Sequence, residues 1–137
     1  MSAEPQREFV DANVLVYAFD SSAAGKQKTA KQLLERLWDH GTGCVSVQVL
    51  QEFFVTITKK VPRPLSVDEA KTRIREFAAW TVFAPKADDI VAAIDLHADA
   101  KIGFWDAMVV LAAAESDCKV LWTEDLNDGQ LLRGVRV

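Results

Sequence analysis

The chain switches repeatedly between two kinds of apolar spacing, and that alternation limits its fold more than any other feature. The short runs "EFV" (8–10), "GCVS" (43–46), "TVF" (81–83) and "KVLWT" (119–123) are too brief for helices and read as strands. Between them lie longer stretches with helical spacing. In "KQKTAKQLLERLWDHG" (26–41), Ala30, Leu33, Leu34, Leu37 and Trp38 share one face, and Gly41 supplies a stop. "VQVLQEFFVTITKK" (47–60) gathers Leu50, Phe53, Phe54 and Ile57 on one side, and "PRP" (62–64) ends it. Ser66 and Glu69 form a capping box at the head of "SVDEAKTRIREFAAW". "ADDIVAAIDLHADAKI" (87–102) is amphipathic, Gly103 punctuates, and "WDAMVVLAAAES" (105–116) is apolar nearly all round. The segment "EDLNDGQ" reads as a loop and "VRV" as a terminal strand.

Short strands alternating with helices predict βαβ units, hence a mainly parallel sheet covered by helices on both faces. Sheets of that kind bind ligands beyond the carboxyl ends of their strands. Carboxylates recur at such places. Asp11 directly follows the first strand, and Glu52 lies in the helix after the second, off its apolar face. Asp106 is the charge near the start of the apolar helix, and Asp125 follows "KVLWT" by two residues. Each also has an ordinary explanation. Asp11 and Asp106 suit helix caps, Glu52 a solvated helix face, and Asp125 a turn. Their recurrence at one predicted edge of the sheet is what distinguishes them.

Divalent cations explain why carboxylates would gather there. Mg²⁺ or Mn²⁺ prefers oxygen ligands, polarises phosphate oxygens and lowers the pKa of bound water. Without a cation, four clustered carboxylates repel, which raises at least one pKa. The net charge of −4 weighs against a simple basic-patch nucleic-acid binder, but these four acids account for all of it. Local basic clusters remain for a polyanion: Lys59, Lys60 and Arg63, or Arg133 with Arg136.

Other chemistries find less support. A haloacid dehalogenase-type phosphatase wants a second aspartate two positions after the first, where this chain has Asn13. No GxSxG, GxGxxG or Walker A pattern occurs. His40 sits at a helix end and His97 beside an apolar stripe, both structural settings. Trp38, Trp80 and Trp122 are expected in the core. Trp105 is expected there too, with shaping of the site as the alternative. At 137 residues the chain is expected to be one domain, 1–137, with a polar tail over 1–7. The polar start "MSAEPQRE" and the isolated Cys44 and Cys118 predict a cytoplasmic protein with reduced, buried thiols.

Four motifs, "FVDANVLVYAFD", "SVQVLQEFF", "FWDAMVVLAAA" and "LWTEDLNDGQ", run in this order along nearly the whole chain. In order and spacing they resemble the PIN-domain ribonucleases, specifically the VapC-type toxins of bacterial toxin–antitoxin pairs. The resemblance implies a three-layer α/β/α sandwich on a short-stranded, mainly parallel sheet. It implies that Asp11, Glu52, Asp106 and Asp125 are the catalytic, metal-binding acids, supported by Asn13 and Thr123, with Asp128 as a further acidic position. Mg²⁺ or Mn²⁺ would be the cofactor, and water the nucleophile on RNA, leaving 5′-phosphate and 3′-hydroxyl ends. A homodimer and a cognate antitoxin are implied as well. The antitoxin would pack on the helices over 14–19 and 47–60, where Phe54 and Ile57 are either exposed groove residues or plain core. Two further readings stay open: a catalytically silent PIN module that binds RNA or protein, and a housekeeping RNA-processing nuclease without an antitoxin.

Overall fold

The computed structural model describes residues 6–126 and 129–137. Strand β1 (Arg7–Val10) leads into α1 (Ala12–Phe19), a 3₁₀ turn (Ser21–Ala23) and α2 (Gly25–His40). Then come β2 (Gly43–Ser46), α3 (Val47–Lys59), α4 (Val67–Phe77) and β3 (Thr81–Phe83). Helices α5 (Ala87–Ala100) and α6 (Phe104–Glu115) precede β4 (Cys118–Trp122), β5 (Leu131–Leu132) and β6 (Val135–Arg136).

Local chemistry explains the boundaries. Gly41 ends α2 in the left-handed conformation, and its N–H bonds the Leu37 and Trp38 carbonyls. Ser46 caps α3 through the Val49 N–H, and Ser66 with Glu69 forms the expected capping box on α4. His97 bonds the Ile102 carbonyl and so ties off the end of α5. The sheet order is β3-β2-β1-β4-β6-β5, parallel throughout except for the β5–β6 pair. The predicted "VRV" strand therefore has an antiparallel partner at Leu131–Leu132, inside what the sequence presents as loop and connection. Strands this short carry too little periodicity to be legible.

From β1 the chain steps to β2 and β3 in one direction, then returns across the sheet to β4 on the other side of β1. Right-handed crossovers in opposite directions put their helices on opposite faces. Accordingly α1 packs on α2 and α3, and α3 on α4, whereas α6 packs on α5, β2, β4 and β6. The result is the expected three-layer α/β/α sandwich. The direction reverses between β1 and β4, which opens a crevice at the carboxyl ends of those two strands.

The core follows from these layers. Phe9, Val10, Val45 and Leu121 in the central strands are buried, and Ala107 through Ala113 of α6 are buried without interruption. On the other face, Phe19, Phe53 and Phe77 meet edge-to-face at centroid distances of 5.8 to 6.2 Å. Truncating Phe53 to Ala would cost about 3–5 kcal/mol. Gly43 is required where it stands, because a Cβ would lie 2.6 Å from the Trp80 ring. Cys44 and Cys118 are both buried, as expected.

Two expectations need correction, on the tryptophans and on the extent of the polar tail, and one left open, on Phe54 and Ile57, is decided. Trp38 and Trp122 are 42% and 40% exposed. Trp38 lies as a lid over Phe77 and Trp80 at 6.3 and 5.5 Å, and Trp122 turns its Nε1–H outward to Glu8 Oε1 at 2.9 Å. Ile57 is fully buried, so it is core, while Phe54 is half-buried and Val47 and Val55 are the exposed apolar residues of α3. The polar tail stops short of Arg7, which opens β1 and donates to the Ser116 carbonyl at 3.1 Å. No helix among the described residues is long and apolar enough to cross a membrane.

Candidate active site

The crevice between β1 and β4 is built around Asp11. β1 ends at Val10, and the Asp11 N–H bonds the Trp122 carbonyl of β4 at 2.9 Å, so the two strand ends are clasped together. Asp11 is also the N-cap of α1, as its ordinary reading holds: Oδ1 accepts from the Ala12 N–H at 2.7 Å. The cap and the site are the same carboxylate. Its other oxygen, Oδ2, accepts from the Thr123 hydroxyl at 2.7 Å. That hydroxyl in turn accepts from the Asp125 N–H at 3.1 Å and, more weakly, from Asn13 Nδ2 at 3.5 Å. Thr123 thus holds Asp11, Asn13 and the loop that carries Asp125 in one arrangement.

Asp11, Asn13, Glu52 and Asp125 open on a cleft of about 640 Å³ that also reaches Lys60. Glu52 projects from the exposed side of α3, where Gln48 one turn earlier donates to its Oε1 at 3.0 Å. The same Gln48 amide reaches the Trp105 carbonyl at 3.4 Å, tying α3 to the start of α6. Asp106 is half-buried in the first turn of α6 and is not its cap, because Gly103 occupies that position. Asp106 faces an adjoining depression with Gly103 and Lys101, and Asp125 lines both hollows. All four predicted acids therefore stand at the carboxyl edge of the sheet, three in one cleft and the fourth across Asp125. Asp128 lies outside the described residues.

The electrostatics reflect that proximity. Burial, with Asp125 and Glu52 as neighbouring charges, pushes the Asp11 carboxyl up to about 6, against the opposing pull of the Thr123 and Ala12 hydrogen bonds. Asp106 is raised for the same reasons, burial first and then Asp125 and Glu52. A cation would relieve both. Among the described residues, however, no three His, Cys, Asp or Glu side chains form a ready-made cage. A hard cation that keeps several waters and takes only one or two carboxylates needs no such cage. Two features fit one here: the donor set is entirely oxygen, and Asn13 Oδ1 is buried without a hydrogen-bond partner among the described residues.

Some lining residues escape a reading by motif. Asp20 is buried in the wall of the cleft, where its Oδ1 accepts from the Ser22 N–H at 3.0 Å and the Ser22 hydroxyl at 2.6 Å. Asn13, Tyr17 and Asp20 follow one another at helical spacing, a polar stripe on α1 from which Asp20 could have been found. Tyr17 donates to Glu124 at 2.6 Å, with Lys26 3.3 Å from both partners. Of the two basic clusters, the one at the end of α3 reaches the cleft through Lys60, while Arg136 lies with Lys119 in a separate hollow. Trp105 is 64% exposed beside Asp106, against the expectation that it packs in the core.

Comparison with known proteins agrees with this fold. The fold is similar to that of Mycobacterium tuberculosis VapC20, described as a sarcin-ricin loop cleaving toxin, with a TM-score of 0.66 and 19% identity over 86% of this chain and 89% of that one. It is also similar to a chain of a toxin–antitoxin complex from Klebsiella pneumoniae, with a TM-score of 0.68 and 19% identity over 95% and 96% of the two chains. No curated protein sequence matches the chain. The family model of the PIN domain matches residues 9–128, a span that takes in all four acids, and the chain belongs to that family.

Proposed function

We propose that this PIN domain is a metal-dependent endoribonuclease that hydrolyses RNA phosphodiesters, and that it is the toxin of a toxin–antitoxin pair. The observation that carries the catalytic half is the cleft at the β1–β4 reversal, where Asp11, Glu52 and Asp125 face one volume with Lys60 at its rim. Such an oxygen donor set suits Mg²⁺ or Mn²⁺, held by Asp11 and Asp125 with Glu52 and Asp106 nearby. When bound, the ion supplies polarisation of the phosphoryl oxygens and a water of lowered pKa.

The chain's own residues do the rest. Thr123 donates to Asp11 Oδ2 and so favours the ionised carboxylate against its burial. Asn13 lines the same cleft and keeps its Oδ1 buried beside it without a hydrogen-bond partner among the described residues. The Asp106 side chain lines the hollow it shares with Asp125, its pKa raised by burial and by the Asp125 and Glu52 charges, and is available to take a proton from the attacking water. Lys60 offers positive charge to the RNA backbone, which the acids alone would repel.

Support for the toxin half comes from the likeness to VapC20 and to a chain of a toxin–antitoxin complex. A second support is an apolar groove between α3 and α4, lined by Val47, Leu50, Phe54, Val55 and Ile74, which suits the apolar face of an antitoxin segment. The proposal includes a homodimer. The exposed Ile90, Val91 and Ile94 of α5 are the face to test for it, by light scattering of Ile94→Lys.

Brief induction followed by sequencing of RNA ends tests the whole reading. New 5′-phosphate ends at defined positions, with growth arrested and then restored by co-expression of a small upstream open reading frame, are the expected result. Cleavage without rescue would leave an RNA-processing nuclease. Absence of metal-dependent cleavage would leave a silent binding module.

A further inference from the structure

An exposed tryptophan one residue before an acid of the candidate site calls for an explanation that packing does not supply. Trp105 leaves 64% of its surface in solvent, more than any other aromatic side chain among the large hydrophobic residues exposed in the described chain. Its backbone is nonetheless held, and its ring has one aromatic neighbour. Its ring is braced edge-on by Phe104 at 5.1 Å and an interplanar angle of 70°. Its carbonyl accepts from Gln48, whose amide also bonds Glu52, so two hydrogen bonds connect the Trp105 backbone to one of the four acids. The next residue is Asp106, which faces the hollow shared with Asp125.

We propose that Trp105 is a stacking platform for one unpaired nucleobase next to the scissile phosphate. This inference rests on the ribonuclease reading and deepens it by naming a subsite for the substrate. A base bound against an aromatic ring has to leave its own stack, which single strands and loops allow and continuous duplex does not. The Phe104 contact on one side narrows the orientations open to the ring, so it loses less freedom when it takes a base. Stacking accepts any base, so Trp105 selects for unpaired structure at one nucleotide rather than for sequence. The acids cannot make that selection, since they meet phosphate and water.

The experiment compares Trp105→Ala and Trp105→Phe for binding of a short single-stranded RNA by anisotropy, in an Asp11→Asn background so that nothing is cut. Trp105→Ala should weaken binding roughly tenfold, and Trp105→Phe by less than about threefold. Duplex RNA of the same sequence should bind all forms alike. A scan with abasic nucleotides should find one position where loss of the base weakens the tryptophan form but has no further effect on the alanine form. Additive losses at every position, or unchanged binding by Trp105→Ala, would overturn the stacking role. So would intact RNA binding together with a lost dimer or lost antitoxin capture, which would make the ring a protein contact. Cleavage by the wild-type chain is measured alongside. Wild-type cleavage with an indifferent Trp105→Ala sinks this inference alone, whereas an RNA-inert wild type sinks the ribonuclease reading and this inference with it.

Discussion

The Thr123 hydroxyl donates to Asp11 Oδ2 at 2.7 Å, joining residues 112 positions apart and linking the ends of the two strands where the sheet reverses direction. Because a carboxylate only accepts, the threonine proton must point at Asp11, which leaves the threonine oxygen to receive the Asp125 and Asn13 N–H groups. One hydroxyl thereby orders three residues of the site and offsets part of the cost of burying the acid.

Removing that proton should move the pH profile. With Thr123→Val, Asp11 loses a hydrogen bond that lowers its pKa, so its titration rises above the present value of about 6. The acid limb of kcat/KM against pH should shift toward higher pH, and activity near pH 6 should fall more than activity near pH 8. Thr123→Ser should keep the wild-type limb. Coincident profiles for Val and wild type would show that Asp11 does not govern that limb.

Asp11→Asn should separate catalysis from stability. RNA cleavage should drop at least a hundredfold. In the metal-free protein the folded state holds the Asp11 proton more tightly than the unfolded chain does, at about 6 against 3.8. Ionised Asp11 therefore costs about 3 kcal/mol above pH 6, and the cost disappears as pH falls below the unfolded value. The asparagine variant should gain about 1–2 kcal/mol at pH 7 and nothing at pH 3, since it keeps the Ala12 bond and its new amide requires Thr123 to turn. Thermal melts at the two pH values check this. Equal gains at both would mean that charge is not the cause.

Cation binding should stabilise the fold. A metal that binds only the folded state at a hundredfold excess over Kd adds about 2.7 kcal/mol, a rise in Tm of roughly 10 °C for a chain this long. Mn²⁺ should act at least as strongly as Mg²⁺. Glu52→Gln should shrink the shift, and acidification to pH 4 should remove it. The scan is repeated with a non-cleavable oligonucleotide, which would bring out an ion held only in the presence of RNA. No shift in either form would argue against a cation site.

Arg36 should matter to stability although it is remote from the cleft. Its guanidinium meets Glu8 through two bonds of 2.6 and 2.9 Å, and Trp122 Nε1–H adds a third to the same buried carboxylate. Arg36, the largest influence, holds Glu8 below the usual carboxylate range. Arg36→Met should cost about 1–3 kcal/mol at neutral pH, because Glu8 would be left with one partner while the arginine end is already partly solvated. Glu8 is favoured in its ionised form when folded, so its contribution is present above the unfolded pKa and lost as pH falls through the folded one. The penalty should therefore fade in acid. A urea titration at pH 7 and pH 3 reads it, and equal penalties would point to lost packing instead.

The architecture was legible because its determinants are local. Apolar periodicity in "KQLLERLW", the Ser66–Glu69 box and Gly41 each act within a few residues, and short runs such as "GCVS" had room for nothing but strand. The acidic set was legible because its members fall at equivalent junctions and in four motifs. What stayed hidden depends on distance across the fold. Whether an aromatic ring is covered is decided by what the opposite layer brings against it, so Trp105 and Trp122 read as core and stand in solvent. Asp20 looks like an ordinary helix end, and only the packing of α1 beside α3 makes it a wall of the cleft. The identity of the acids is written in the sequence, but the clasp from Thr123 to Asp11 and the burial that raises the Asp11 pKa against it exist only once β1 and β4 lie side by side, because hydrogen bonds and desolvation depend on separation in space.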